Sequence, residues 1–289
     1  MVLHLMLRLV KLVFKAPGDC CRCSKHRTMS SGQSLTSHLT SLPRLRSLHE
    51  RATSTHPFLS AAQNGSLSSE LLGYYLGQDR IYASYAYPKY IAGLIRKIDA
   101  CPEVPPGSVA QESILPLLSS SLSGVVHEVQ FFDETAKKYG LVSYPPSARA
   151  GISRPPYTMR PGTRNYLSEM ARVAEWNDTW QEGVVFLWAM EKVYLDAWSL
   201  VNDKLSEADS AQAASPVQQA LQVLSAHWSS PSFIRFVNDL GSLVDSLYHD
   251  DKELKHSAEY IFSRVLELEA GFWPTEEELL LLQSQFAAQ

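Results

Sequence analysis

A tyrosine-rich stripe with one carboxylate is the first feature of this sequence that could do chemistry. Tyr75, Asp79 and Tyr82 are spaced i, i+4 and i+7, so on a helix they lie along one face, and Tyr85 follows three residues later. A buried carboxylate is costly unless it is hydrogen-bonded. The set suits a flat heteroaromatic amine, whose ring stacks on a phenol while the carboxylate accepts its N–H groups. The alternative is that Asp79 pairs with Arg or Lys of another helix.

A second carboxylate lies in the apolar segment GVVFLWAMEKVYLDAW. Glu191 has Trp188, Met190 and Val193 as neighbours, and desolvation there would raise its pKa, which suits a general base near neutral pH. Tyr194 follows nearly one helical turn later on the same face. The alternative is that the Glu191 side chain is turned towards solvent.

The cysteines and histidines are not spaced for a metal centre. The CCRC cluster at residues 20–23 lacks a second Cys/His pair, and Cys101 is isolated. The histidines form no HxxxH or ExxH pattern. In VVHEVQFF, His127 and Glu128 point to different faces; Glu128 could be an inward carboxylate, but we expect both at the surface. We expect no metal and no cofactor.

Helices must position these residues, because every long segment after residue 37 has helical rather than strand periodicity. A hydrophobic fraction of 45% supports a large core. We predict an all-α fold, a single multi-helical bundle, with Pro88 kinking the helix that carries Asp79. The Pro-, Gly- and Ser-rich stretch 143–162 is either a functional lid or an ordered crossover. The predicted helices cover residues 37–52, 70–98, 108–139, 163–175, 180–205, 216–226, 231–248 and 252–272, with a short one opening at 55–59 and an amphipathic tail after 275.

The charge distribution separates a basic leader from an acidic body. The formal net charge of the 289 residues is -4, and the body has no Lys/Arg cluster of the kind that phosphate binding requires, which argues against a nucleic-acid partner. The amphipathic start is too short and too charged to span a membrane. It is either a mitochondrial presequence or an extension upstream of a working start at Met29. We expect a basic, disordered leader at 1–34, one helical domain at 35–289, and a cytoplasmic location, or a mitochondrial one if the leader is a presequence.

The segment THPFLSAAQNGSLSSELLGYYLGQDRIYASYAY resembles the opening of TenA/thiaminase-II proteins, with their HPF-type start, G-[ST]-L turn and YLxQDxxY core. Asp79 and Tyr82 fall on the pyrimidine-binding Asp of the family and its neighbouring Tyr. NYLSEM places Tyr166 on a pocket tyrosine, and ELEAGFW places Glu269 on the glutamate of E-x-x-F-W. The resemblance covers about residues 37–274 and implies a haem-oxygenase-like helical fold, with no haem expected.

The chain departs from that family at two positions. The thiaminase-II enzymes carry a nucleophilic Cys in a PC pair, where this chain has Ala189 and Met190, with Glu191 one residue later. The chain therefore resembles the Cys-lacking, glutamate-bearing branch. In HWSSPSF, at residues 227–233, a pocket tyrosine of the Cys-bearing enzymes is missing, so we expect a substrate preference different from theirs.

The resemblance implies hydrolysis at the aminomethyl or formylaminomethyl group of a 4-amino-2-methylpyrimidine, as in thiamin salvage. It also implies a small-molecule aminopyrimidine as partner and a homo-oligomer. The alternatives are a non-catalytic pyrimidine- or thiamin-fragment-binding protein, or a different enzyme of specialised metabolism on the same fold. The resulting site prediction comprises the catalytic residues Glu191 and Glu269 and the substrate-binding residues Asp79, Tyr82, Tyr166, Tyr75 and Tyr194.

Overall fold

The computed structural model describes residues 33–99, 109–141, 159–176, 179–207, 214–247 and 252–287. The expected leader lies outside these ranges apart from its last two residues, and so do residues 143–158 of the expected lid or crossover.

All regular elements in these ranges are helical, which confirms the all-α prediction. None of these helices combines the length and the apolar character that crossing a lipid bilayer requires. Two π-helical turns, Arg51–Thr55 and Tyr82–Ala86, and a 3-10 turn, Pro43–Leu45, connect α-helices. The α-helices are α1 (Leu35–Thr40), α2 (Arg46–Glu50), α3 (Pro57–Gln63), α4 (Ser69–Ile81), α5 (Tyr87–Asp99), α6 (Val109–Tyr139), α7 (Pro161–Glu175), α8 (Trp180–Glu207), α9 (Pro216–Trp228), α10 (Pro231–Leu247), α11 (Lys252–Phe272) and α12 (Glu276–Ala287).

Helix α8 lies at the centre of the core because it is apolar on almost every side. Val184, Leu187 and Val201 are fully buried along its length. Helices α9, α10 and α11 pack along it. A helix that is apolar all round is stable only when neighbouring elements enclose it. Because α8 carries Glu191 and Tyr194, these two polar side chains are held inside the helical body.

Local sequence signals set the helix ends. The hydroxyl of Ser68 accepts from the N–H of Leu71 at 3.1 Å and begins α4. Ser215 and Gln218 form a capping box at the start of α9, each side chain accepting from the other residue's backbone N–H. Gly140, with φ of 65°, follows the end of α6, and this left-handed conformation suits glycine. These starts and stops lie where the sequence predicted them.

The helix that carries Asp79 changes pitch just before Pro88. α4 passes into the π turn Tyr82–Ala86, and the N–H of Tyr87 donates to the carbonyl of Tyr82. Pro88 has no N–H to donate, so the α-helical hydrogen-bond ladder is interrupted there. The irregularity expected at this proline takes the form of a π turn, which accommodates an extra residue within the helix.

The helix predicted over 37–52, punctuated by Pro43, is divided into separate elements in the structure. α1 ends before Ser41, and Pro43 begins a 3-10 turn instead, since proline cannot donate to a helical ladder. α1 is held by a tertiary contact. Both the N–H and the hydroxyl of Thr36 donate to the Asp245 carboxylate of α10, each at 2.8 Å.

Candidate active site

The carboxylate of Asp79 forms a hydrogen-bonded triangle with two phenol hydroxyl groups. Its Oδ2 accepts from the phenol of Tyr75 at 3.0 Å and from that of Tyr194 at 3.1 Å, and the two phenol oxygens are 3.1 Å apart. Tyr75 lies one turn before Asp79 on α4, whereas Tyr194 comes from α8. The partners of Asp79 in the described ranges are thus two phenols, and the predicted alternative of an ion pair with Arg or Lys is wrong.

Burial gives Asp79 an unusual acidity. The residue is 4% exposed. Its pKa is raised to about 7, and desolvation is the largest cause; the negative charges of Glu128 and Glu191 also raise it, and the hydrogen bonds from the two phenols oppose the shift. Asp79 is therefore divided between its neutral and ionised forms near neutral pH. A ligand that donates N–H groups or carries positive charge would favour the ionised form.

Glu269 is the deepest carboxyl group of the site. It lies in the last turn of α11, is 4% exposed, and its Oε1 accepts from the Tyr166 phenol at 2.6 Å. Its Oε2 is buried without a hydrogen-bond partner. The pKa of Glu269 is raised to about 8, and desolvation is the largest cause; the charges of Asp79 and Glu191 also raise it, and the Tyr166 hydrogen bond opposes the shift. Glu269 is therefore protonated at neutral pH, with one oxygen free for a ligand.

Glu191 is half-buried and faces the interior of the site. Its Oε1 accepts a short hydrogen bond from the phenol of Tyr87 on α5. The pKa of Glu191 is raised to about 7, and desolvation is the largest cause; the charge of Glu128 also raises it, and the Tyr87 hydrogen bond opposes the shift. The structure thus places Glu191 against Tyr87 rather than turned to solvent, and its acidity is that of a general base near neutral pH.

Aromatic rings form the wall between these carboxyl groups. The Tyr82 ring contacts those of Tyr166 and Phe272 edge-on, with centroids 5.3 and 5.8 Å apart. The Tyr82 hydroxyl lies 3.4 Å from the sulfur of Met190. Met190, one of the two residues at the expected thiol position, is therefore part of the wall.

The opposite wall is built around Tyr194. Its ring stacks on Trp273 at a centroid distance of 6.4 Å and meets Trp228 edge-on at 5.4 Å and Phe233 at 6.5 Å. Trp228 and Phe233 belong to HWSSPSF, where the pocket tyrosine was expected to be missing. The segment thus supplies the rings of Trp228 and Phe233 to this side of the site, and Tyr194 supplies its phenol hydroxyl.

Glu128 was expected at the surface, and this expectation was wrong. The residue is half-buried on α6, and its carboxylate accepts from His227 Nε2 at 2.8 Å and from the indole N–H of Trp228. Its charge bears on Asp79 and Glu191. Its two donors lie about a hundred residues away on α9, so no local pattern could reveal them, whereas the exposed location expected for His127 is confirmed.

Tyr87 is the site residue that the sequence prediction missed, and Tyr85 the one that it placed wrongly. Tyr85 is 41% exposed, with the Lys89 ammonium 3.6 Å from its ring centroid. If the α-helix continued without interruption, Tyr85 would lie on the same face as Tyr82. The π turn inserts an extra residue, so the fifth residue after Tyr82, not the third, faces the site. Pro88 was the signal in the sequence that could have indicated this change.

The predicted site residues are brought together by α4, the π turn that follows it, α7, α8 and α11. Three carboxyl groups with raised pKa values share an aromatic enclosure. Such a set can bind a flat amine and exchange protons with it. Within the described ranges no group of three or more His, Cys, Asp or Glu side chains is arranged to hold a metal ion. The residues concerned are Asp79, Glu191 and Glu269, with Tyr75, Tyr82, Tyr166 and Tyr194 around them.

Solved TenA homologues have a fold similar to that of this chain. The structure from Pyrococcus furiosus has a TM-score of 0.62 at 22% identity and covers 83% of this chain and 98% of that one. The homologue from P. horikoshii OT3 has 0.57 at 17%, with 83% and 97% covered. The homologue from Pseudomonas syringae pv. tomato str. DC3000 has 0.62 at 8%, with 86% and 93% covered. The chain has the TenA fold. The predicted haem-oxygenase-like bundle is thereby confirmed, and the resemblance seen in the sequence holds at the level of the fold.

One curated relative is similar in sequence. It is a probable transcription factor of Fusarium pseudograminearum (strain CS3096), 26% identical over 225 residues, which are 68% of this chain and 42% of that protein. The chain therefore spans less than half the length of that relative. No model of a known protein family matches the chain.

Proposed function

We propose that the chain is a hydrolase that acts at the aminomethyl or formylaminomethyl group of a 4-amino-2-methylpyrimidine, in the manner of thiaminase-II proteins. The observation that carries this proposal is the pair Glu191 and Glu269, two carboxyl groups in one aromatic enclosure whose pKa values are raised to about 7 and about 8, close to neutral pH. Two carboxyl groups tuned in this way supply a base and an acid at the same pH.

Asp79 is the recognition group in this proposal. Its ionised carboxylate accepts from the exocyclic amine of the pyrimidine, while Tyr82 and Tyr166 flank the ring. Tyr75 and Tyr194 hold the carboxylate in position through their hydrogen bonds to Oδ2. Charge-assisted bonds of this kind are stronger than neutral ones, so Asp79 contributes much of the affinity.

The two glutamates divide the proton transfers. Glu191, in its ionised form, takes a proton from water, whose oxygen forms the new bond to the methylene carbon as the bond from carbon to nitrogen breaks. Glu269, in its protonated form, donates its proton from the unpartnered Oε2 to the leaving amine. The products are the hydroxymethylpyrimidine and ammonia, or formamide from the formylated substrate.

The test is mass spectrometry of the purified full chain incubated with the aminomethyl- and formylaminomethylpyrimidines. We expect a hydroxymethylpyrimidine that gains one heavy oxygen in ¹⁸O water, and no product with Glu269→Gln. Binding without product would refute the hydrolase proposal, and so would the absence of any binding.

The second candidate is a ligand-sensing module that binds the pyrimidine without turnover. It is favoured by the relative described as a probable transcription factor, of which the matched part is 42%. The chain also lacks a cysteine after Cys101, so no thiol is present on α8. Tight binding of an aminopyrimidine that returns unchanged after long incubation would support this candidate.

A further inference from the structure

Arg160 is a buried cation just before α7, outside the set of site residues. It is 5% exposed, and its guanidinium donates to the main-chain oxygens of Gly271, Phe272 and Trp273 at 2.8, 2.6 and 3.3 Å. Its Nη2 also donates to the Glu278 carboxylate of α12 at 2.6 Å. The last carbonyl groups of a helix lack intrahelical donors and attract cations. One side chain thus satisfies the end of α11.

The first turn of α7 lies directly against the same end of α11. A Cβ atom at Gly162 would be 2.0 Å from the carbonyl oxygen of Gly271, so only glycine permits this approach. One turn further along α7, the Tyr166 phenol donates to Glu269 at 2.6 Å. Tyr166 therefore contacts Glu269 itself, and Arg160 and Gly162 contact the residues that follow it at the end of α11.

The main chain of Arg160 contacts the residue next to Asp79. Its N–H donates to the Oε1 of Gln78 at 3.1 Å, and Gln78, fully buried, precedes Asp79 on α4. This bond does not depend on the side chain at position 160. A substitution there changes the support of α11 and leaves the hydrogen bond to Gln78 possible.

We propose that Arg160 is a positioning residue, which fixes the last turn of α11 and so keeps the Glu269 carboxyl buried in the orientation its proton transfer requires. The guanidinium does not touch Glu269; it acts through the carbonyl groups that follow. Lysine cannot replace it, because a single ammonium nitrogen cannot span three carbonyl oxygens and a carboxylate as the planar guanidinium fork does.

The physical consequence is a change in the acidity of Glu269. Burial is the main cause of its raised pKa, with the charges of Asp79 and Glu191 adding to it and the Tyr166 hydrogen bond opposing it. A looser α11 terminus lets water reach the carboxyl group, and hydration moves a buried carboxyl back towards its ordinary pKa.

The test compares Arg160→Lys with Arg164→Lys, a matched control on the same helix. Arg164 is exposed and makes a 3.4 Å contact with the Met159 carbonyl. The full chain is labelled with ¹³C at glutamate carboxyls, and the Glu269 signal is assigned by its loss in Glu269→Gln. We expect the titration midpoint of Glu269 to fall by at least about one pH unit in Arg160→Lys and to stay unchanged in the control. This readout requires no enzymatic activity.

The turnover readout rests on the proposed hydrolase function. With an aminopyrimidine substrate, Arg160→Lys should lower kcat by about tenfold and change KM by less than about threefold, because Asp79 is supported by the main-chain bond to Gln78. If the wild-type chain turns over no pyrimidine, the hydrolase proposal fails, and the titration of Glu269 still decides the role of Arg160.

An unchanged Glu269 midpoint in folded Arg160→Lys overturns the proposal. If that variant does not fold, Glu278→Gln takes its place: it leaves the guanidinium but weakens the carboxylate that orients it through two contacts, at 2.6 and 3.2 Å. We expect a smaller shift of the same sign there. A wild-type midpoint in folded Glu278→Gln contradicts the proposal equally.

Discussion

Glu269 should make the folded chain less stable as the pH rises, which is the opposite of the effect of a carboxylate whose pKa is lowered by folding. Replacing Glu269 by glutamine should remove this pH dependence. The folded chain holds Glu269 at a pKa of about 8, while the unfolded chain has a value near 4.5. Between these values the folded state binds the proton and the unfolded state releases it. The stabilisation is therefore complete below pH 4.5 and is lost as the pH rises through 8.

The magnitude follows from the difference between the two pKa values. A difference of about 3.5, from 4.5 to 8, at about 1.36 kcal/mol for each unit of pKa, is at most about 5 kcal/mol in the free energy of unfolding. It is an upper limit because Asp79 and Glu191 contribute through their own ionisation. Glutamine does not titrate, so this loss should be absent from the variant.

The assay is urea unfolding of both chains between pH 4.5 and 8.5, followed by helical circular dichroism. The free energy of unfolding of the wild-type chain should fall by about 3 kcal/mol or more relative to Glu269→Gln across this range. At the acidic end the two should differ by no more than about 1 to 3 kcal/mol, the cost of a buried unpaired amide donor.

Parallel stability curves for the two chains would refute the reasoning, since Glu269 would then have the same proton affinity folded and unfolded. A variant that gains stability at high pH but loses turnover would show that the buried acid is kept for chemistry, because active-site residues often lower stability.

Asp79→Asn should weaken binding of an aminopyrimidine at least about tenfold by calorimetry, because the asparagine NH₂ group would face the N–H donors of the ligand. Unchanged affinity would make Asp79 a structural residue. Glu191→Gln should lower kcat by about 10² with the dissociation constant retained, since it removes the base but keeps the volume; full turnover would exclude Glu191 from the chemistry. Tyr87→Phe removes a hydrogen bond that lowers the pKa of Glu191, so the acidic limb of the pH–rate profile should move to higher pH. Tyr85→Phe, at an exposed ring, is its control, and equal profiles for both would count against Tyr87.

The elements and much of the site could be predicted because they depend on local rules. Ser68 and Ser215 mark helix starts through hydrogen bonds to residues three positions away, and that distance is visible in the sequence. The i, i+4 spacing of Tyr75 and Asp79 likewise became a direct hydrogen bond at 3.0 Å. Where a side chain and its hydrogen-bond partner lie within one helical turn, their contact can be predicted from the sequence.

The environment of Glu128 shows why other contacts could not be predicted. Its location depends on how α6 packs against α9, and its donors His227 and Trp228 have no counterpart nearby in the sequence. On a helix wheel alone, an acidic residue beside His127 is equally consistent with a solvated face. The packing of α6 against α9 determines where the Glu128 side chain lies, and there its charge acts on Asp79 and Glu191.

Glu191 on α8 and the π turn between α4 and α5 are connected through Tyr87, which follows the π turn and donates a hydrogen bond to Glu191. One helical position rotates a side chain by about 100°, so an acid at 191 cannot reach the place of a thiol at 190. Met190 keeps that direction and contacts the Tyr82 hydroxyl, whereas Glu191 points to a neighbouring part of the wall. The extra residue of the π turn brings Tyr87 to that part, where its phenol holds the carboxylate. The position of the carboxyl group on α8 and the extra residue between α4 and α5 therefore act together, because the one provides a buried acceptor and the other brings its donor.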